Sequence, residues 1–279
     1  MTKQISFPKY AEWISEYCNN SSHPFIRDSG KMIAYCFELD ENLPKEYKWR
    51  YSDEDSIKRQ IQCAKTTKEI NKIFWLDQAH NVEAYSVMTF WRGVELLKSA
   101  IRSLNVHEVI PPAVLSRSLL ELATVFLMNS NNLEKNFSEV TFPPNTVVVS
   151  QDIEKMIVKM IWGTRFNNPE DHLQQINIIT PLKKLSENEH AKELWLNYEY
   201  LCDIAHPSFI GNTRYWSHVE TVYKNGSEDR VISKFPEHEN CNKILDKILW
   251  SLGWSAASIR SAFEINTHGL QQLIGKINK

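Results

Sequence analysis

Pro112-Ala-Val-Leu-Ser-Arg117-Ser-Leu-Leu-Glu121-Leu-Ala-Thr124-Val-Phe-Leu-Met-Asn129 is the stretch on which the reading of this chain turns. It is apolar almost all the way round a helical wheel, which marks a helix buried at the centre of a bundle. At about 100° per residue, Arg117, Glu121 and Thr124 fall together in one narrow polar sector of that apolar cylinder. Ile110-Pro-Pro112 precedes it, and proline suits a helix start, where its missing N–H has no partner to lose.

On the N-terminal side, Val82, Tyr85, Met88, Trp91 and Val94, flanked by Val87, Phe90 and Leu97, form a wide apolar face. They predict a helix that begins near Asn81 and ends near Asn105. Residues 1–80 read as an N-terminal helical layer, with short amphipathic segments around 10–17 and 30–39 and a longer helix from Ser52 to about Gln78. Ser52-Asp-Glu-Asp55 supplies that helix with a cap and an acidic first turn.

On the C-terminal side, further helices are expected at about 148–162 and 172–188. The most regular stripe, Ala191, Leu194, Trp195, Tyr198, Leu201, Cys202 and Ala205, belongs to a helix over 189–206. Pro207 disfavours helix at the residue before it, so His206 falls at the C-terminus. Val219-Glu-Thr-Val-Tyr223 and Arg230-Val-Ile-Ser-Lys234, separated by a loop with Asn225-Gly226, read as a β-hairpin. A last helix over about 239–265 turns Ile244, Ile248, Leu252 and Ile259 inwards. The expected fold is all-α: a helical core over 81–279 with one hairpin at about 219–234, packed against the layer over 1–80.

Composition limits function. The chain has 279 residues, of which 42% are hydrophobic and only 8 are glycine, which fits a helical core and not a turn-rich β architecture. A net charge of −2 excludes a globally basic phosphate-binding surface. Lys155/Lys159 and Lys243/Lys247, each one helical turn apart, read as solvated faces. Cys18, Cys36, Cys63, Cys202 and Cys241 are odd in number and scattered, as expected of buried thiols in a reducing compartment. Residues 1–8 carry no apolar run of the signal-peptide kind. The most apolar segment, 113–128, carries Arg117 and Glu121 in its middle, so no bilayer span is expected. Cytoplasmic location, no membrane partner and no cofactor are the expectations. No phosphate loop, dinucleotide-binding glycine motif, nucleophile elbow or zinc pattern occurs.

Two constellations carry chemistry. Charges inside an apolar cylinder must be paired or lie at a wet groove, so Arg117 and Glu121 form either an internal ion pair or the lining of a functional groove. Glu199, Asp203 and His206 follow on the next regular helix. A histidine half-sheltered beside carboxylates can move protons near neutral pH; alternatively it caps its own helix. Glu187-x-x-His190 and Asp203-x-x-His206 have the carboxylate-x-x-His spacing of di-iron bundles. Such a site needs two further inward-facing glutamates, and Glu187 falls at an expected helix break, so no metal is expected.

Together, Arg117-Ser-Leu-Leu-Glu121 and the later Tyr198-x-x-Leu201-x-x-x-x-His206-Pro207-Ser208 resemble paired motifs of a group of uncharacterised bacterial all-helical proteins. Those proteins are similar to HEPN domains, helical bundles found in prokaryotic toxins, phage-defence effectors and their non-catalytic relatives. The resemblance covers about 82–218. It implies a HEPN-like bundle of about five core helices and, in the active members, a metal-independent ribonuclease. There an R-x4–6-H motif from each of two subunits meets across a homodimer and cleaves RNA through the 2′-hydroxyl. Here Leu201 stands where that arginine is expected and Cys202 where the following polar residue belongs. Arg117, held by Glu121, could replace the lost charge beside His206; alternatively Arg102 and His107 form the pair.

Two readings follow. In the first, the chain is a ribonuclease-like effector of a defence or toxin system that acts on RNA as a homodimer. His206 is then the acid/base, Arg117 the phosphate stabiliser and Glu121 its orienter, with Tyr198, Glu199 and Asp203 lining the groove. In the second, the same polar groove binds a ligand or a partner protein without catalysis.

Overall fold

The computed structural model describes residues 7–164, 166, 169–170, 173–174, 177–207, 212, 217–224, 226–234 and 239–279. In chain order they form α1 (Glu12–Asn19), α2 (Pro24–Arg27), α3 (Ser29–Asn42), α4 (Glu54–Cys63), α5 (Thr67–Asn105) and α6 (Ile110–Glu139). There follow α7 (Gln151–Trp162), α8 (Ile179–Ser186), a 3₁₀ turn (Glu189–Ala191), α9 (Glu193–Ala205), β1 (Ser217–Lys224), β2 (Ser227–Lys234) and α10 (Glu239–Asn278). The chain is thus mostly helical with one small antiparallel hairpin, the expected class.

Local chemistry explains several boundaries. Asp53 caps α4 by accepting the Ser56 N–H at 2.6 Å, with Glu54 and Asp55 in the first turn. Ser150 does the same for α7 through the Ile153 N–H at 3.3 Å. In the hairpin Lys224 pairs with Ser227, leaving a two-residue loop in which Gly226 has φ +80°; tight hairpin turns require such a conformation. Asn225 lies outside the described residues.

Four expectations change. The helix expected over 52–78 is interrupted, because Ala64 turns extended after α4. Thr66 Oγ1 then accepts the Glu69 N–H at 3.2 Å, and Glu69 Oε2 accepts the Lys65 N–H at 2.6 Å. These bonds satisfy the open donors of a new helix start. α5 then runs for 39 residues straight through residue 80, since 78–81 contain neither proline nor glycine to stop it. Met88, expected on the apolar face, is 43% exposed; it lies two residues from the fully buried Phe90, on the far side of the wheel. α10 continues past 265 to Asn278 because Leu270, Leu273 and Ile277 extend its buried stripe.

The chain divides into two compact units, each built partly from α5, α6 and α10. The first comprises residues 1–40, 93–124 and 181–258. Its buried side chains include Ile14, Phe37, Leu97, Ile101, Leu119, Leu120, Leu194, Leu201, Ile248 and Leu252, and full burial of such a side chain contributes roughly 1.5–3 kcal/mol. Asn105 clamps the N-terminal segment: its Oδ1 accepts the Ala11 N–H at 2.9 Å and its Nδ2 donates to the Lys9 carbonyl at 2.8 Å. At Gly253 of α10 a Cβ would lie 2.6 Å from the Phe25 carbonyl oxygen, so α2 approaches in a way only glycine permits.

The second unit comprises residues 41–92, 125–180 and 259–279. Phe74, Trp75, Val82, Leu133, Phe137, Ile153, Ile157, Leu270, Leu273 and Ile277 form its core. Asn71 holds the segment before α7 by donating to the Thr146 carbonyl at 2.9 Å and accepting the Val148 N–H at 2.7 Å. Trp75 Nε1 donates to the Val148 carbonyl at 2.9 Å. Lys276 Nζ donates to the carbonyls of Phe137, Ser138 and Val140 at 2.8–3.0 Å, which satisfies and electrostatically complements the C-terminal end of α6.

By length and composition α6 alone among the described helices could cross a membrane. Within the protein its Ala113, Leu119, Leu120, Ala123 and Phe126 are wholly buried, as in the core helix of a bundle. Cys18, Cys36, Cys63 and Cys202 form no disulfide. Cys63 is exposed and Cys202 half-buried, against the expectation of burial.

Candidate functional site: the polar cluster of α6 and α9

Arg117 and Glu121, one turn apart on α6, pair through Arg117 Nη2 and Glu121 Oε1 at 3.0 Å. Within the same unit α9 supplies Tyr198, whose hydroxyl donates to Glu121 Oε1 at 2.9 Å. The guanidinium carbon lies 5.7 Å from the centre of the Tyr198 ring. Arg117 Nε completes the cluster by donating to Cys202 Sγ at 3.1 Å. Tyr198 and Cys202 stand at i and i+4, so one face of α9 meets the polar sector of α6.

The cluster is only partly sheltered, with the Arg117 and Glu121 side chains 30% and 33% exposed. Burial pushes the Tyr198 hydroxyl up to about 12; its hydrogen bonds to Cys202 and Glu121 act in the same direction and Arg117 opposes them. The phenol therefore stays protonated at neutral pH and serves as a donor. Thr124, also expected in the polar sector, is fully buried, and its hydroxyl has no hydrogen-bond partner among the described residues.

The other expected residues are arranged differently. Glu199, Asp203 and His206 are all exposed. His206 is the C-terminal cap residue of α9, with φ −84° and ψ 134°, and its N–H donates to the Cys202 carbonyl at 3.0 Å. The extended backbone is what the following proline imposes. Arg117 and Glu121 direct their bonds to each other, to Tyr198 and to Cys202, and none joins them to His206. Ser208 lies outside the described residues. In the Arg102/His107 pair, Arg102 is exposed and His107 has φ +61°. It ends α5, with its N–H on the Leu104 carbonyl at 3.0 Å and that of Glu108 on the Ser103 carbonyl at 3.1 Å. The His107 ring stacks on Trp13 at 4.5 Å.

Cys202 as the acceptor for Arg117 is the partner that sequence reasoning missed. Its i+4 relation to Tyr198 was visible, but a thiol gives no signal of which cation will reach it. Among the described residues no group of three or more His, Cys, Asp or Glu is placed to hold a metal ion. The side chain of His190 lies outside the described set. Chemically the cluster is a neutralised cation, a neutral phenol and a thiol, without a nucleophile held by a base. Comparison with protein-family models, with curated proteins and with solved structures finds no match.

Proposed function

We propose that the chain is a HEPN-like, non-catalytic helical module that works by binding a partner protein at the α9 surface. The observation carrying this reading is that Arg117 bonds Glu121 and Cys202 and lies against the Tyr198 ring, while no hydrogen bond or ion pair among the described residues joins it to His206. Cleavage through a 2′-hydroxyl needs an acid/base histidine and an available cation on the same phosphate. Releasing Arg117 for that task would leave the half-sheltered Glu121 carboxylate without its cation. The outer face of α9 also suits a protein partner better than RNA: Leu196 is 61% exposed and Glu199 adds a carboxylate beside it. Apolar area contributes to protein association, and a carboxylate repels phosphate.

The test is incubation of the purified protein with transfer RNA and total RNA in EDTA, alongside His206→Ala. Neither protein is expected to cleave. Cleavage by the wild type that disappears in His206→Ala would overturn the binding-module reading in favour of a ribonuclease.

A further inference from the structure

Within the second unit, α4 and the first half of α5 enclose an open cleft of about 610 Å³, in the size range of small-molecule sites. Ile57 of α4 and Ile73 and Leu76 of α5 give it apolar walls. Asp77, the next residue along α5, also lines it although only 8% exposed. One carboxylate oxygen, Oδ2, accepts from Asn81 Nδ2 at 3.1 Å, and Asn81 Oδ1 in turn accepts from Trp49 Nε1 at 3.0 Å. The other oxygen, Oδ1, is buried and makes no hydrogen bond of good geometry among the described residues, the Ser52 hydroxyl being the polar group beside the carboxyl. Leaving a buried acceptor unpaired is unfavourable, and costs of this kind concentrate at functional sites.

The same cleft presents two cations. Arg50 and Lys72 are exposed on its lining, and neither is ion-paired among the described residues. Glu69, a second acid on the wall, is already committed to the Lys65 N–H at the start of α5. Lys72 precedes Asp77 by five residues, roughly 7.5 Å along the helix axis. A ligand that uses both must carry its anion and its hydrogen-bond donor at opposite ends of an apolar body. That separation excludes a free α-amino acid, whose charged groups sit on one carbon. α4 contains no fully buried residue, so its wall can yield and admit a ligand to Oδ1.

We propose that the α4–α5 cleft binds a nucleoside monophosphate, with the phosphate on Lys72 and Arg50 and a base N–H donating to Asp77 Oδ1. The aliphatic walls cover the base and ribose. The exocyclic amino groups of adenine, guanine and cytosine can each donate to that acceptor oxygen.

The experiment is isothermal titration of the full chain with adenosine 5′-monophosphate, guanosine 5′-monophosphate and cytidine 5′-monophosphate. Adenosine and ribose 5-phosphate serve as half-ligands. Saturable binding is expected for at least one nucleotide. Affinity should fall about tenfold or more in Lys72→Ala, an exposed position, and in Asp77→Asn, with circular dichroism checking the fold of each. Absence of binding by all three nucleotides overturns the proposal. So does affinity unchanged in both variants, or ribose 5-phosphate binding as tightly as the nucleotides, since that would leave the base and Asp77 without a role.

Discussion

Replacing Asp77 by asparagine should stabilise the protein at neutral pH while leaving it unchanged near pH 4. Asp77 is 8% exposed. Burial pushes its carboxyl from 3.8 up to about 6; Ser52 and Asn81 nearby hold it back, and the Glu154 charge adds to the rise. The folded state thus binds this proton more tightly than the unfolded chain does. Its stabilising effect is complete below the unfolded pKa, and is lost as pH rises from about 4 through about 6. Above that range the fold carries a poorly solvated anion. Roughly two pKa units correspond to about 3 kcal/mol; water in the open cleft screens part of this, leaving about 1–2 kcal/mol. The asparagine side chain keeps an oxygen for the Asn81 amide and cannot ionise. Urea unfolding followed by circular dichroism at pH 4, 5, 6 and 7.5 reads the effect as a shift in midpoint at constant slope. A variant less stable than the wild type at pH 7.5, or a difference independent of pH, would refute the reasoning.

Two substitutions test packing and the polar cluster. Gly253→Ala gains about 1 kcal/mol of helix propensity. Its Cβ, however, would meet the Phe25 carbonyl oxygen at 2.6 Å and the Ser29 side chain at 3.0 Å. Net destabilisation of about 2 kcal/mol is therefore expected in thermal unfolding. Gly275→Ala, which meets nothing within 4 Å, should be neutral or stabilising; a gain at Gly253 would refute the close approach. Glu121→Ala removes the acceptor shared by Arg117 and Tyr198 and should cost about 1 kcal/mol at this half-exposed site. Because the bond to Glu121 raises the Tyr198 value, ultraviolet titration should show one tyrosine ionising at lower pH in the variant. Tyrosine titration identical to the wild type would sink that account.

Much of the secondary structure was legible because it is written in short-range rules. Asn225-Gly226 marked the hairpin, Pro207 placed His206 at the end of α9, and Ser52-Asp-Glu-Asp55 marked the start of α4. That Arg117 and Glu121 share one polar sector was legible for the same reason, an i,i+4 spacing in an apolar cylinder, while ion pair and groove lining both remained open. Less visible was how far helices run. The break at 64–66 follows from Glu69 and Thr66 satisfying backbone donors, whereas the continuation of α5 through residue 80 reflects the absence of any stop signal.

By itself, then, the sequence determined the helical class, the hairpin and the central apolar helix with its polar sector, since periodicity, turn residues and the cost of burying charge act within one or two turns. Only the tertiary structure decided that Tyr198 and Cys202 complete the Arg117 cluster while His206 does not, and that Asp77, unremarkable in sequence, is a buried carboxylate at a cleft. Those are meetings between segments far apart in the chain. They are set by which side-chain surfaces pack, and no local spacing encodes them.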